Sequence, residues 1–169
     1  MPRRWPALVA IACAAVLGAA AVAVALPSSA RLTTAGLGPI EIGMTVAQVE
    51  RAGKRELTFG GDDVNAPCAT AALGKDVFGL FSKGRLARVY VRSRIYATRT
   101  GIRVGDTQRK VLARYGRSVA RSPHKYIEGG FYLTLTVGNR RLVFETDGRR
   151  VIEMSSGRKP EIDYVEGCA

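Results

Sequence analysis

The sequence predicts an α+β protein made of two tandem repeats, each a short helical segment followed by an antiparallel β-meander, with the helices on one sheet face. Three observations predict it. Ile40-Glu41-Ile42-Gly43-Met44-Thr45 with Val49 matches Ile102-Arg103-Val104-Gly105-Asp106-Thr107 with Val111, at a constant offset of 62. Each match opens into a helix-start signal. Further on, Phe81-Ser82-Lys83-Gly84 resembles Phe144-Glu145-Thr146-Asp147-Gly148, where the offset has grown to 64, as short loop insertions would cause. The predicted boundaries are a targeting segment over residues 1–30, a first repeat over 31–97 and a second over 98–169.

The targeting segment comes first. Arg3 and Arg4 precede an uncharged run from Ala7 to Leu26, then Pro27-Ser28-Ser29-Ala30, the basic, apolar, small-residue order of a secretory signal. Ala23-Val24-Ala25 and Ser28-Ser29-Ala30 are both cleavage candidates. Residues 7–26 are also just long enough to cross a bilayer, so an uncleaved membrane anchor is the alternative. Either way the domain is expected outside the cytoplasm, secreted or associated with the cell envelope. Cys13 would leave with the signal. The remaining pair, Cys68 and Cys168, is an even count in an oxidising compartment and predicts one disulfide.

In the first repeat Thr45 and Gln48 form a capping box, Val46, Val49 and Ala52 recur at helical spacing, and Gly53 stops the turn. Strands are expected over Val77 to Ser82 and Leu86 to Arg92, joined at Lys83-Gly84. In the second repeat Asp106 or Thr107 caps, Val111, Leu112 and Tyr115 form the apolar face, and Gly116 stops the helix. Phe131 to Val137 alternates apolar and polar residues. Arg141 to Thr146 and Arg150 to Ser155 flank Asp147-Gly148, a two-residue hairpin signal. Both helices are short and need packing to persist.

The run Gly38-Pro39-Ile40-Glu41-Ile42-Gly43-Met44-Thr45, with Val49, resembles the opening of the repeat in β-lactamase-inhibitor-type proteins, a unit similar to that of the small lipoprotein of the outer-membrane β-barrel assembly machine. The ending Tyr164-Val165-Glu166-Gly167-Cys168, with Glu145-Thr146-Asp147-Gly148, is similar to uncharacterised secreted proteins of high-GC Gram-positive bacteria. The resemblance implies a helix-plus-meander fold and an inhibitor-like binding role through hairpin loops and an open sheet face. No individual inhibitory residue transfers, and Asp106 departs from the pattern where Met44 stands in the first copy.

Charge supplies the functional clue. Residues 83–125 carry 13 basic side chains and one acidic, while the flanking stretches 31–82 and 126–169 each carry one more acidic residue than basic. Strand alternation puts Ala87, Val89, Val91 and Ile95 on a packed face and Arg88, Tyr90, Arg92, Arg94 and Tyr96 on the other. Interleaved arginine and tyrosine suit a binding surface, because both offer large contact area with directional donors. With Arg109 and Arg114 on the helix, these are the predicted binding residues. A solvated arginine-rich face is the competing reading.

No catalytic or metal signature emerges. His124, the single histidine, reads as an exposed loop residue. Asp62, Asp63 and Asn65 read as a polar loop, with calcium as the weaker alternative. Glu145 and Asp147 flank a hairpin, and the turn accounts for Asp147. No phosphate loop or dinucleotide fingerprint is present. The sequence therefore predicts a non-enzymatic secreted binding module without cofactor or metal, whose partner is an acidic protein or an anionic envelope polymer or lipid. Enzyme inhibition is its concrete version. A membrane-tethered structural envelope protein is the alternative, and export argues against nucleic acid.

Overall fold

The computed structural model describes residues 26–60 and 66–168. The chain runs β1 (Arg31–Thr33), β2 (Gly36–Leu37), β3 (Ile40–Glu41), α1 (Val46–Gly53), β4 (Thr58–Phe59), β5 (Cys68–Gly74), β6 (Val77–Ser82), β7 (Arg85–Val91) and β8 (Ala97–Thr98). It continues through α2 (Gln108–Tyr115), β9 (Val119–Pro123), β10 (Phe131–Val137), β11 (Arg140–Thr146) and β12 (Val151–Arg158). Eight strands form one sheet in the order β4-β5-β6-β7-β12-β11-β10-β9, and four short strands form a second in the order β3-β2-β1-β8.

This corrects the expected fold class. The described chain is mainly β, with twelve strands in two sheets and two α-helices of eight residues each, rather than a tandem helix-plus-meander α+β fold with helices layered on one sheet face. The physical reason is coverage. Among apolar side chains, α1 fully buries only Val49 and α2 only Val111. Two such helices cannot cover an eight-stranded sheet. Much of the cover comes from the small sheet, whose Leu32, Leu37 and Ile40 are fully buried in one core with Phe81, Leu86, Val89, Phe144 and Met154 of the large sheet. Leu26 and Ala30, inside the predicted targeting segment, also pack into this core.

The matched sequence stretches do share a local turn. Gly43 and Gly105 adopt φ of 99° and 88°, where only glycine is at ease. The Gly43 amide donates to the Leu86 carbonyl at 2.7 Å, and the Gly105 amide to that of Val151 at 2.7 Å. Arg85 donates to the Gly43 carbonyl and Arg150 to that of Gly105. Each turn thus locks a helix start to the large sheet. Thr45 and Gln48 form the expected capping box, and Thr107 rather than Asp106 caps α2. Lys54 in the left-handed region, not Gly53, closes α1.

Candidate functional site

The predicted arginine-tyrosine stripe is divided in two. β7 places Arg88 and Tyr90 on the large-sheet face opposite the core, with Arg92 just beyond its end, because alternation sends Val89 and Val91 inward. Arg88 is 4% exposed, not a surface residue. Its Nη2 donates to Ser155 Oγ at 3.1 Å and to Glu145 Oε1 at 3.4 Å, its Nη1 donates to the Tyr164 carbonyl at 2.8 Å, and its guanidinium lies 4.1 Å from the Tyr90 ring centroid. Arg92 reaches into solvent, yet its Nε donates to Glu153 Oε2 at 2.6 Å.

The carboxylates come from neighbouring strands. Ser122, Tyr132, Glu145 and Glu153 stand in one row across β9, β10, β11 and β12. Two glutamates directly opposite repel, and Arg88 offsets this by bridging them while Arg92 pairs with Glu153. Burial pushes the Glu153 carboxyl above its usual range, and the Glu145 charge adds to the effect against the two arginines. Burial likewise raises the Tyr90 and Tyr132 hydroxyls.

His124 is a further correction: only 6% of its side chain is exposed. Its Nδ1 accepts from the Tyr126 and Ile127 amides at 3.1 and 3.2 Å, which leaves the proton on Nε2 to donate to Glu145 Oε2 at 3.3 Å. The ring stacks on Tyr132 with centroids 4.5 Å apart. Asp147, as expected, serves its turn. Hydrogen bonds from the Arg150 and Arg149 amides hold its carboxyl below the usual range.

The tail crosses this face. After the cis Lys159–Pro160 bond it runs to Cys168, where the expected disulfide to Cys68 pins it to β5. A cleft of about 400 Å³ opens beside it, bounded by Phe78, Tyr90, Arg92, Glu153 and Gly167.

The other half of the stripe lies elsewhere. Tyr96 is a core residue, 4% exposed, whose hydroxyl donates to the Leu26 carbonyl, while Ile95, expected inside, is 49% exposed. The strand ends at Val91, so alternation no longer governs either position. Arg94 lies against Gly105, its guanidinium filling the place where a side chain at residue 105 would begin. Arg103 donates to the Arg94 and Ile95 carbonyls. Arg109 and Arg114 are exposed on α2.

Residues 1–25 and 61–65 lie outside the description, so the signal or anchor reading of residues 7–26, short of Leu26, Cys13 and the Asp62, Asp63, Asn65 loop are not placed. Among the described residues no helix is long and apolar enough to cross a membrane, and no three His, Cys, Asp or Glu side chains are grouped to hold a metal ion.

The site is thus a mainly-β sheet face with an alternating charge network under a tethered tail. No protein-family model matches the chain, and no curated protein does. Among solved structures, the uncharacterised protein yfeY from Escherichia coli is similar, with a TM-score of 0.53 and 11% identity over 76% of this chain and 99% of that one. That likeness concerns the fold alone.

Proposed function

We propose that the protein is an extracytoplasmic, non-enzymatic binding module whose exposed basic surface recognises an acidic protein or an anionic envelope polymer or lipid. One observation carries this reading. Arg94, Arg103 and Arg150, from three stretches of chain, meet around Gly105, with Arg109 and Arg114 on the helix that follows, and none is ion-paired among the described residues. Unpaired guanidiniums gathered by a fold attract anions at a distance and fork onto carboxylates or phosphates on contact. Inhibition of a secreted enzyme, which the β-lactamase-inhibitor-type resemblance implies, is the form this takes with a protein partner.

The test measures binding of the full chain to vesicles containing anionic lipid and to polyglutamate, at low and high salt. Near an anionic membrane each arginine contributes about 1 kcal/mol, so Arg94→Ala, Arg109→Ala and Arg114→Ala together should weaken vesicle binding at low salt by roughly a hundredfold. Unchanged binding to both probes would remove the reading.

The export reading draws on residues 1–25, and burial of Leu26 and Ala30 favours one of its two cleavage candidates. Cutting after Ala30 would strip buried Leu26 and Ala30 from the core and remove the Leu26 carbonyl that accepts from Tyr96 at 3.3 Å. Cleavage after Ala25 leaves them in place. N-terminal sequencing of the exported protein should therefore begin at Leu26; a start at Arg31 contradicts this, and an intact N-terminus favours the tethered structural protein.

A further inference from the structure

The face that carries half of the arginine-tyrosine stripe is already occupied by a peptide of opposite character. Residues 160–168 contain Glu161, Asp163 and Glu166 and no basic residue. Asp163 pairs with Arg141, Glu166 meets Lys125 Nζ at 3.1 Å and the Tyr126 hydroxyl, and Arg88 donates to the Tyr164 carbonyl at 2.8 Å. We propose that this face is a docking site for an extended acidic peptide segment of a partner protein, with the chain's own tail as its resting occupant. The inference uses none of the arginines around Gly105, so it stands apart from the surface assigned above.

The manner of the tail's fit makes it replaceable. Ile162 is buried, but Tyr164 and Val165 remain 42% and 47% exposed, so between Ile162 and the disulfide the tail is held by the Tyr164 carbonyl and by carboxylates at the rim. Of the seven buried side-chain atoms left without a hydrogen-bond partner among the described residues, five belong to Arg88, Tyr132, Arg141, Arg158 and Glu161, at the tail and the sheet beneath it. A segment that satisfied the donors on the sheet, Arg88, Tyr132 and Arg141, would bind better than the tail does. The cleft between Tyr90, Arg92 and Gly167 leaves room for its side chains. Because Cys168 is fixed to Cys68, displacement lifts a loop rather than freeing an end, and the tether keeps the tail at high effective concentration.

The experiment uses a fluorescent peptide of the tail sequence, PEIDYVEG, and its neutral counterpart, PQINYVQG. Full-length protein is compared with its Asp163→Asn, Glu166→Gln variant, whose tail holds less tightly. The acidic peptide should bind the variant at least tenfold more tightly than the unaltered protein, the neutral peptide should bind neither, and adding Lys125→Ala should reduce the gain severalfold. No gain in a variant that unfolds at the same temperature as the unaltered protein overturns the proposal. So does equal binding of the neutral peptide. Concentration-dependent dimerisation of the variant also overturns it, since the occupant would then be a second copy. If the variant does not fold, the unaltered protein decides: saturating acidic peptide should speed amide exchange over Tyr164 to Gly167 severalfold, and an unchanged rate refutes displacement.

Discussion

Arg88→Met should destabilise the protein by about 3–5 kcal/mol, read from the denaturant midpoint at neutral pH, because it removes the cation that holds two facing carboxylates together. Arg88 is nearly fully buried and touches Glu145, Glu153, Ser155 and the Tyr164 carbonyl at once. Without it, Glu153 keeps only the exposed Arg92, and Glu145 keeps only His124. Adding Glu153→Gln, which removes one stranded charge, should recover at least about 1 kcal/mol. Acidity gives an independent check. The Glu153 carboxyl titrates above its usual range when folded, so its contribution is complete at pH values below that range and is lost as pH rises through the folded value. Loss of Arg88 pushes that carboxyl higher still. The deficit of the variant should therefore be smallest in acid and widen toward neutrality. A cost below about 1 kcal/mol, flat with pH, would mean that the network is not holding the sheet face.

This network was hidden in the sequence for a definable reason. β6 and β10 match their predicted spans residue for residue, because clean alternation bounded by turn residues leaves little choice. The hairpin at Asp147-Gly148 was equally legible, but a two-residue turn implies Glu145 opposite Arg150. The connection is instead four residues long, with Thr146 opposite Val151 and the Asp147 amide donating to the Arg150 carbonyl, and a one-residue register shift between Glu145 and Thr146 completes the move that sets Glu145 opposite Glu153. Bulges of this kind leave no reliable mark in composition, so the pair that organises the site stayed out of view. The small sheet escaped for another reason. Its strands are two or three residues long, below the length at which periodicity can be read, and β1 pairs in parallel with β8, more than sixty residues away. The two faces of β7 are legible as far as Val91, although Arg88 is buried rather than exposed; beyond the strand's end alternation no longer places Arg94 and Tyr96. His124 could not have been placed, because its burial depends on Tyr132 and Glu145 of two other strands.

Replacing Cys68 and Cys168 by serine should lower global stability by about 2–5 kcal/mol, with the upper end set by loop closure: a 100-residue loop removes about 4.7 kcal/mol of chain entropy from the unfolded state. The bond joins the edge region of the large sheet to the end of the tail, so the loop contains most of the fold, while the tail between its two ends is held by buried Ile162, two ion pairs and the Arg88 contact to the Tyr164 carbonyl. Two effects follow, and they are separable. If the bond acts through the unfolded chain, the denaturant slope should rise as the unfolded ensemble expands, and the midpoint of the whole sheet should fall. If it acts only by pressing the tail onto the face, the midpoint and slope should hardly move, while amides near Tyr164 exchange faster because exposed ion pairs such as Lys125 with Glu166 hold it only weakly. The first outcome is expected, since the core that defines the unfolding transition lies on the opposite face of the sheet and does not depend on the tail to be buried. A variant that lost tail protection but kept the midpoint and slope of the unaltered protein would assign the disulfide to local docking alone.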